Sequence, residues 1–488
     1  MKRIVSFAAL LGFAITLNAQ GILSLDSCRA LAIANNKNLQ ISKEKVKAAH
    51  YEKKAAFTNY LPEFSAMGTY MRNQKEFSLL SGDQKNLLSN IGTLTNAQIQ
   101  GILPQISAAD PLLGVILQQV GSQIAGPLNN VGNGLVDAFR TDTRNIYAGA
   151  ITLTQPLYMG GKIRAYNKIT KYAELLAESQ HNTELQEVIL NTDQAYWQVI
   201  SLINKKELAE GYLKLLQKLD SDIDKMIAEG VATKADGLSV KVKVNEAEMT
   251  LTKVEDGLSL SKMVLCQLCG LPINATIQLA DENIKDFGIA TATDTAVDMN
   301  SALSNRPELQ SLELATDIYK QKINITRSEH LPSLALMGNY MVTNPSVFNS
   351  FENKFKGMWN VGVMLKIPIW HWGEGIYKVK AAKAQARVAQ YQLADAKEKI
   401  ELQVNQSAFK VNEAAKKLTM AQKNMEKADE NLRYANLGFE EGVIPPSNVL
   451  EAHTAWLSAQ SERIDAQIDV KLTEVYLQKA IGTLNINE

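Results

Sequence analysis

Hydrophobic and polar positions follow two rhythms along this chain. From Lys162 to Glu229 and from Ile376 to Glu441 there is no proline, and the only glycines are Gly211 and Gly438. A thin apolar row recurs there at helical spacing, with Glu, Gln, Lys and Asn between; Ala177, Leu185, Val188, Ala195, Val199 and Leu202 form it in the first stretch. Stretches of 66–68 residues predict helices roughly 100 Å long at 1.5 Å per residue. Helices that long need partners along their whole length. Shorter helices are expected over about 237–270 and 448–482, and over 24–58 and 301–329, so that two half-length helices end to end match one long one.

The second rhythm has period two and predicts strands at about 63–71, 146–156, 333–341 and 359–369. Tyr147, Gly149, Ile151 and Leu153 take one face, with Ala148, Ala150, Thr152 and Thr154 on the other. Trp359, Val361, Val363, Leu365, Ile367 and Ile369 alternate with Asn360, Gly362, Met364 and Lys366; Phe64-Ala66-Gly68-Tyr70 and Leu334-Leu336-Gly338-Tyr340 behave likewise. About ten residues with one greasy and one small or polar face suit a transmembrane barrel. Half-buried strands of a soluble sandwich give the same alternation.

The chain also repeats itself. Asn59-Tyr60-Leu61-Pro62 through Met71 reads like Glu329-His330-Leu331-Pro332 through Met341, an offset of 270. Farther on, Pro156-Leu157-Tyr158 matches Pro368-Ile369-Trp370, Glu229-Gly230-Val231 matches Glu441-Gly442-Val443, and Gly270 matches Gly482, all at an offset of 212. The whole difference of 58 residues therefore lies between 71 and 155, where a variable loop belongs. The repeats are placed at 20–270 (extracellular loop insert about 72–145) and 301–488, with a linker at 271–300.

Lys2 and Arg3 followed by an apolar run to Leu17 read as a secretory signal peptide over residues 1–19. No later segment resembles a transmembrane helix, so an exported chain is either soluble or spans a membrane as strands. The 51 basic and 51 acidic residues in 488 give no support to a nucleic-acid partner.

With these residues in view, the chain resembles the outer membrane efflux proteins, the TolC-like family of trimeric exit ducts. The resemblance spans about residues 22–485. It is carried by Leu61-Pro62 and Leu331-Pro332 before strands, and by Pro156-Leu157-Tyr158 and Pro368-Ile369-Trp370 at strand exits, with a long-helix hairpin after each exit. It implies an all-α long-helix tunnel combined with a β-barrel: each subunit gives four transmembrane strands to a shared 12-stranded trimeric barrel, plus a periplasmic α-helical barrel. Residues 271–300 would belong to an equatorial belt. The implied partners are two further copies of the chain, a periplasmic adaptor, an inner-membrane pump of RND or ABC type and outer-membrane lipid. The implied function is passive exit of small molecules or drugs, with metal efflux and type I protein secretion as alternatives. No cofactor and no catalytic residue is implied.

The implied adaptor-facing residues lie at two hairpin tips: Gly230, Val231, Thr233 and Asp236 in the first, and Gly442, Val443 and Asn448 in the second. Asp236 and Asn448, with Thr233 and Ser447 nearby, suit N-caps of the returning helices, and Pro445-Pro446 stiffens the second tip. Glu451 is the candidate for an acidic ring at the tunnel mouth; an ordinary first-turn glutamate is the plainer account. Tyr158, Trp370 and Trp372 read as interfacial anchors.

In the insert, residues 84–138 carry few charges, and prolines 104, 111 and 127 are expected to divide it into short pieces, with one helix over 112–125. This loop and the shorter one at 342–358 are placed at the cell surface. Cys266 and Cys269 share a helical end and are expected to pack as small hydrophobes, with Cys28 isolated in sequence. The five histidines form no ligand-spaced pair. A soluble coiled-coil adaptor would explain the helices without the four strands, and a secreted enzyme explains neither.

Overall fold

The computed structural model describes residues 22–74, 76, 80–140, 142–284, 298–348 and 352–484. The expected signal peptide, residues 285–297 of the linker, and Phe351 lie outside the described residues. The elements are, in chain order, β1 (Ile22–Leu23), α1 (Leu25–Asn35), α2 (Lys37–Thr58), β2 (Glu63–Arg72), α3 (Gly82–Ser89), α4 (Ile91–Ala109), α5 (Pro111–Ala138), β3 (Asn145–Met159), α6 (Lys162–Ala228), α7 (Lys234–Cys269), β4 (Gln278–Leu279), α8 (Met299–Asn305), α9 (Pro307–Ser328), β5 (Ser333–Asn344), β6 (Lys356–Lys366), α10 (Glu374–Glu440) and α11 (Pro446–Ala480). They form two compact units: one of residues 57–163 and 325–375, and one of the remaining helical segments.

In the first unit, β2, β3, β5 and β6 form a four-stranded antiparallel sheet in that order. Its register joins the separate alternations. Phe64 lies opposite Leu153, Leu153 opposite Gly338, and Gly338 opposite Val361; Ala66, Ile151, Tyr340 and Trp359 form the next row. One face is thus apolar across all four strands. The other carries Ser65, Thr152, Asn339 and Asn360, with the Asn339 amide donating to the Asn360 side-chain oxygen at 3.1 Å. The apolar face is open: Phe64 is 70 % and Val361 64 % exposed. Neither β2 nor β6 has an outer partner among the described residues, so both sheet edges are bare.

The strand expected to reach 369 stops at Lys366. β5 begins at Ser333, directly opposite Lys366, so β6 has no partner beyond it, and Pro368 lacks the N–H that would continue a ladder. The equivalent Pro156 is passed by an irregularity between Pro156 and Tyr158, and β3 runs on to Met159. The aromatic anchors sit at this end. Trp370 and Trp372 meet edge to face with centroids 5.8 Å apart, and both are open. Tyr158, also exposed, pairs with Leu334. The following swivel uses left-handed backbone in both copies: Gly160 and Gly161 at φ 60 and 85, Trp372 and Gly373 at φ 50 and 79. A Cβ at Gly160 would lie 2.8 Å from the Ser328 carbonyl oxygen, so the first copy has no room for the residue the second tolerates.

The insert differs from expectation. It holds three helices, with α4 packed antiparallel on α5, and Pro104 and Pro127 lie inside helices rather than between them. Both rings face outward, where a proline removes one backbone bond and bends a helix without ending it. Only Pro111 follows a break, at N1 of α5 behind the Asp110 cap.

In the second unit, α6 and α10 each run 67 residues. Two of the expected shorter helices are broken, at equivalent places. Asn36 interrupts 24–58, and its side-chain oxygen accepts from the amides of Asn38 and Leu39. Arg306 interrupts 301–329 because it precedes Pro307, which drives it to extended backbone, φ −80 and ψ 114. The helix ends also meet alike. The Asn35 side chain donates to the Cys269 carbonyl at 3.0 Å, against Gly270. The buried Arg306 guanidinium donates to the Ala480 carbonyl at 2.9 Å and pairs with Glu308 at 3.0 Å, beside Gly482, whose Cβ would touch Asn305. Beneath the first junction Cys28, Cys266 and Cys269 share one core with Tyr196, Leu265 and Ile468. The cysteine isolated in sequence is therefore packed with the other two, and all three are buried and unpaired. Arg29 clamps Asp193 in the same region through two bonds of 2.8 and 2.7 Å. Burial pushes the Asp193 carboxyl above its ordinary value, against the pull of that guanidinium.

Candidate functional site

At the far ends of α6 and α10 the chain reverses twice, and both reversals are built from the same backbone bonds. The Gly230 amide donates to the Ile227 carbonyl and the Val231 amide to that of Met226; Gly442 and Val443 do the same to Phe439 and Gly438. This double closure satisfies the last carbonyls of a helix and requires left-handed backbone at the residue after it. Gly230 and Gly442 supply it at φ 76 and 74. The valines that follow project outward, 71 and 79 % exposed.

One hydrophobic cluster underlies both tips. Leu216, Ile223 and Tyr212 from α6, Val240 and Ala247 from α7, and Val449 and Leu450 from α11 are buried together, with Met226, Ile227, Phe439 and Ile444 against them. The tips fill their turns in opposite ways. In the second, Ile444 folds back over Gly438, where a Cβ would lie 2.5 Å from its Cδ1. At the equivalent places the first tip has Ala232 and Met226, so the large residue sits on the helix and the small one in the loop. In each case the loop residue's amide reaches the helix residue's carbonyl, at 3.2 and 3.0 Å.

The returning helices start differently from expectation. Thr233, not Asp236, is the N-cap of α7. Its hydroxyl oxygen accepts from the Asp236 amide at 3.2 Å, while the Asp236 carboxylate accepts from the Thr233 amide at 2.9 Å and from its hydroxyl at 2.6 Å. This reciprocal box makes Asp236 the third residue of the helix, and the Thr233 hydroxyl and amide hold its carboxyl below the ordinary value. At the second tip Pro445 occupies the cap position and makes no side-chain bond, Pro446 is N1, and Asn448 lies within α11. The Ser447 hydroxyl is 3.5 Å from the Asn448 side-chain oxygen.

Glu451 is exposed on the second turn of α11. On the covered side of that turn, His453 is 3 % exposed, with Tyr212 edge-on at 6.4 Å, and burial holds its imidazole below the ordinary value, hence neutral. No local signal marks this histidine as a core residue, since its neighbours come from α6. Farther along, Trp456 donates to Asp429 at 2.6 Å and Lys206 pairs with Glu255, tying each long helix to its return, while Lys205 pairs with Asp465 between α6 and α11.

Among the described residues no group of three or more His, Cys, Asp or Glu is arranged to hold a metal ion, and no helix is long and apolar enough to cross a membrane. The two tips offer exposed hydrophobic knuckles on rigid turns over a common core.

The outer membrane efflux protein family model matches residues 125–271 and 299–483, more than half of the chain. The alkaline protease secretion protein AprF of Pseudomonas aeruginosa is 23 % identical over 54 % of this chain, a likeness spanning a little over half, 57 %, of that relative. The outer membrane protein TolC of Escherichia coli is 22 % identical over 72 % of each chain. The crystal structure of the outer membrane protein VceC of Vibrio cholerae superposes with a TM-score of 0.71 at 13 % identity, covering 94 % of this chain and 96 % of that one.

Proposed function

The chain belongs to the outer membrane efflux protein family, and from that premise we propose that it is the outer-membrane exit duct of a tripartite efflux system, passing small molecules delivered by an inner-membrane pump through a periplasmic adaptor. The carrying observation is the sheet: an apolar face continuous over four strands, with both edges unpaired among the described residues. Bare edges are not tolerated in hydrocarbon, and four strands are too few to enclose an aqueous opening. Three chains supply twelve strands and remove every edge, in keeping with the homotrimers of TolC-like channels.

On this reading β2, β3, β5 and β6 sit in the outer membrane with Tyr158, Trp370 and Trp372 at its inner boundary, and α6, α7, α10 and α11 stand in the periplasm. The tips carrying Gly230, Val231, Thr233, Asp236, Gly442, Val443 and Asn448 meet the adaptor. Glu451, repeated three times about an axis, favours cations at the mouth. Mechanism is passage: no bond is made or broken, and the pump supplies the work.

The AprF relative, whose name assigns it to alkaline protease secretion, favours protein export as a second reading. The test is a strain lacking this chain. Accumulation of an efflux dye, restored by the wild-type chain and not by Val231→Asp/Val443→Asp, supports the first reading. Unchanged accumulation with loss of a secreted protein replaces it with the second.

A further inference from the structure

The insert between β2 and β3 carries a surface that the proposed duct does not use. Its α4–α5 hairpin is packed unusually close. A Cβ at Gly92 would lie 2.1 Å from the Ala125 carbonyl oxygen, and where α3 meets α5 one at Gly132 would lie 1.8 Å from the Leu88 carbonyl oxygen. The Asn129 side-chain oxygen accepts from the Gly92 and Thr93 amides at 2.7 and 3.2 Å, and its amide donates to the Thr93 hydroxyl at 2.8 Å. The foot is fixed as well. The Asn73 amide extends the β2–β3 ladder to the Arg144 carbonyl at 2.7 Å, and Glu76 is paired with Arg140 at 3.0 Å and Arg144 at 3.4 Å. This is a rigid, anchored element.

Its outer surface is unpartnered. Gly114, Leu117, Gly121, Ala125, Leu128 and Gly132 form the covered row of α5. One position ahead runs a second row, Leu113, Ile116, Val120 and Ile124 and then, past Pro127, Val131 and Leu135, these six all between 38 and 63 % exposed. Residues 86–109 and 111–136 contain no Asp, Glu, Lys or Arg. Such a row is too apolar to leave in water. The helix is also too polar for hydrocarbon: Gln118, Gln119, Gln123, Asn130 and Asn133 would have to enter it, and neither helix meets the hydropathy of a membrane span.

We propose that the α4–α5 hairpins of three chains pack on one another through the α5 row, forming a six-helix cap over the outer end of the shared barrel. The inference rests on the trimeric duct proposed above. The occupant follows from ring closure: β2 is an edge strand through which neighbouring chains must join, and each hairpin rises from the loop just beyond it. Twelve strands at about 4.8 Å spacing and a tilt of about 40° enclose a barrel roughly 20–25 Å across. At 1.5 Å per residue the 28 residues of α5 extend about 42 Å, so each hairpin is long enough to span the outlet from its own place on the rim. Three neutral surfaces meet there without repulsion, and the amides flanking the row bond across the contact. The cap makes the outlet a constriction, distinct from the acidic ring proposed at the tunnel mouth.

The test is electron paramagnetic resonance on the full-length protein purified in lipid, with a nitroxide on Ile124→Cys and a control on Ser122→Cys, which points away from the row. The three native cysteines are buried. The cap requires the Ile124 site to be shielded from both water-soluble nickel chelate and oxygen, several-fold relative to Ser122, with spin–spin broadening that disappears on dilution with unlabelled chains. High oxygen access at Ile124 would assign the row to lipid, and high nickel access would leave it in water; either overturns the cap. The size of the unlabelled protein separates the two readings. A trimer with an accessible Ile124 defeats the cap alone, whereas a monomer defeats the duct.

Discussion

The two hairpin tips solve one problem with different chemistry. Both end a 67-residue helix with the same backbone closure and a left-handed glycine, and both rest on one core. Above that frame they diverge. The first is pinned by hydrogen bonds between Thr233 and Asp236, and the second by the rigidity of Pro445-Pro446 and by Ile444 packed over Gly438. A duplicated element kept its backbone and changed the side chains that hold it. The first tip therefore depends on protonation and on solvent that competes for hydrogen bonds, and the second on volume.

The largest break in this comparison is expected at the second tip. Gly438→Met puts a long side chain where Ile444 lies and is expected to destabilise the helical unit by about 1–3 kcal/mol, the usual effect of overpacking. Adding Ile444→Ala recreates the first tip's arrangement and is expected to recover most of that loss. Additive effects in thermal unfolding would show that the two residues are not complementary. Next, Thr233→Ala is expected to cost about 1 kcal/mol as a lost N-cap, while Asn448→Ala is near neutral because Asn448 caps nothing; hydrogen exchange at the two tips reads both.

Acid should separate the tips more gently. The Asp236 carboxyl is held below its ordinary value by Thr233, so its contribution is complete above the ordinary carboxylate range and is lost as pH falls through the lowered value. The protection of the amides at 233–236, taken relative to their intrinsic exchange at each pH, should fall on acidification and that of the amides at 447–450 should not; an equal fall at both tips would contradict the assignment. The smallest effect is expected from Glu451→Gln, which leaves stability unchanged and shifts the reversal potential of single channels toward weaker cation selectivity. Identical potentials would remove the acidic ring.

The sequence made the long helices and the alternating strands legible because each depends on local periodicity. The common apolar face needed the register, since no single strand reveals which face its neighbour shares. The helix breaks at Asn36 and Arg306 carry the local signs of an Asx cap and of a residue before proline, which helical length and spacing alone do not register. Pro104 and Pro127 misled in the opposite direction, because a ring on the outer face of a packed hairpin bends a helix without stopping it. The tip residues were legible as a turn, whereas the exchange of bulk between Met226–Ala232 and Gly438–Ile444 appears only when a side chain's reach is known. The burial of His453 and the meeting of Cys28 with Cys269 depend on contacts more than two hundred residues apart in sequence.

The central claim is that four strands per chain close only as part of a ring of three. Native mass spectrometry of the protein extracted from outer membranes in mild detergent tests it most directly. The account requires a species of three chains that is absent from the detergent-free soluble fraction. A stable monomer, or a protein that stays in solution without detergent, would contradict it.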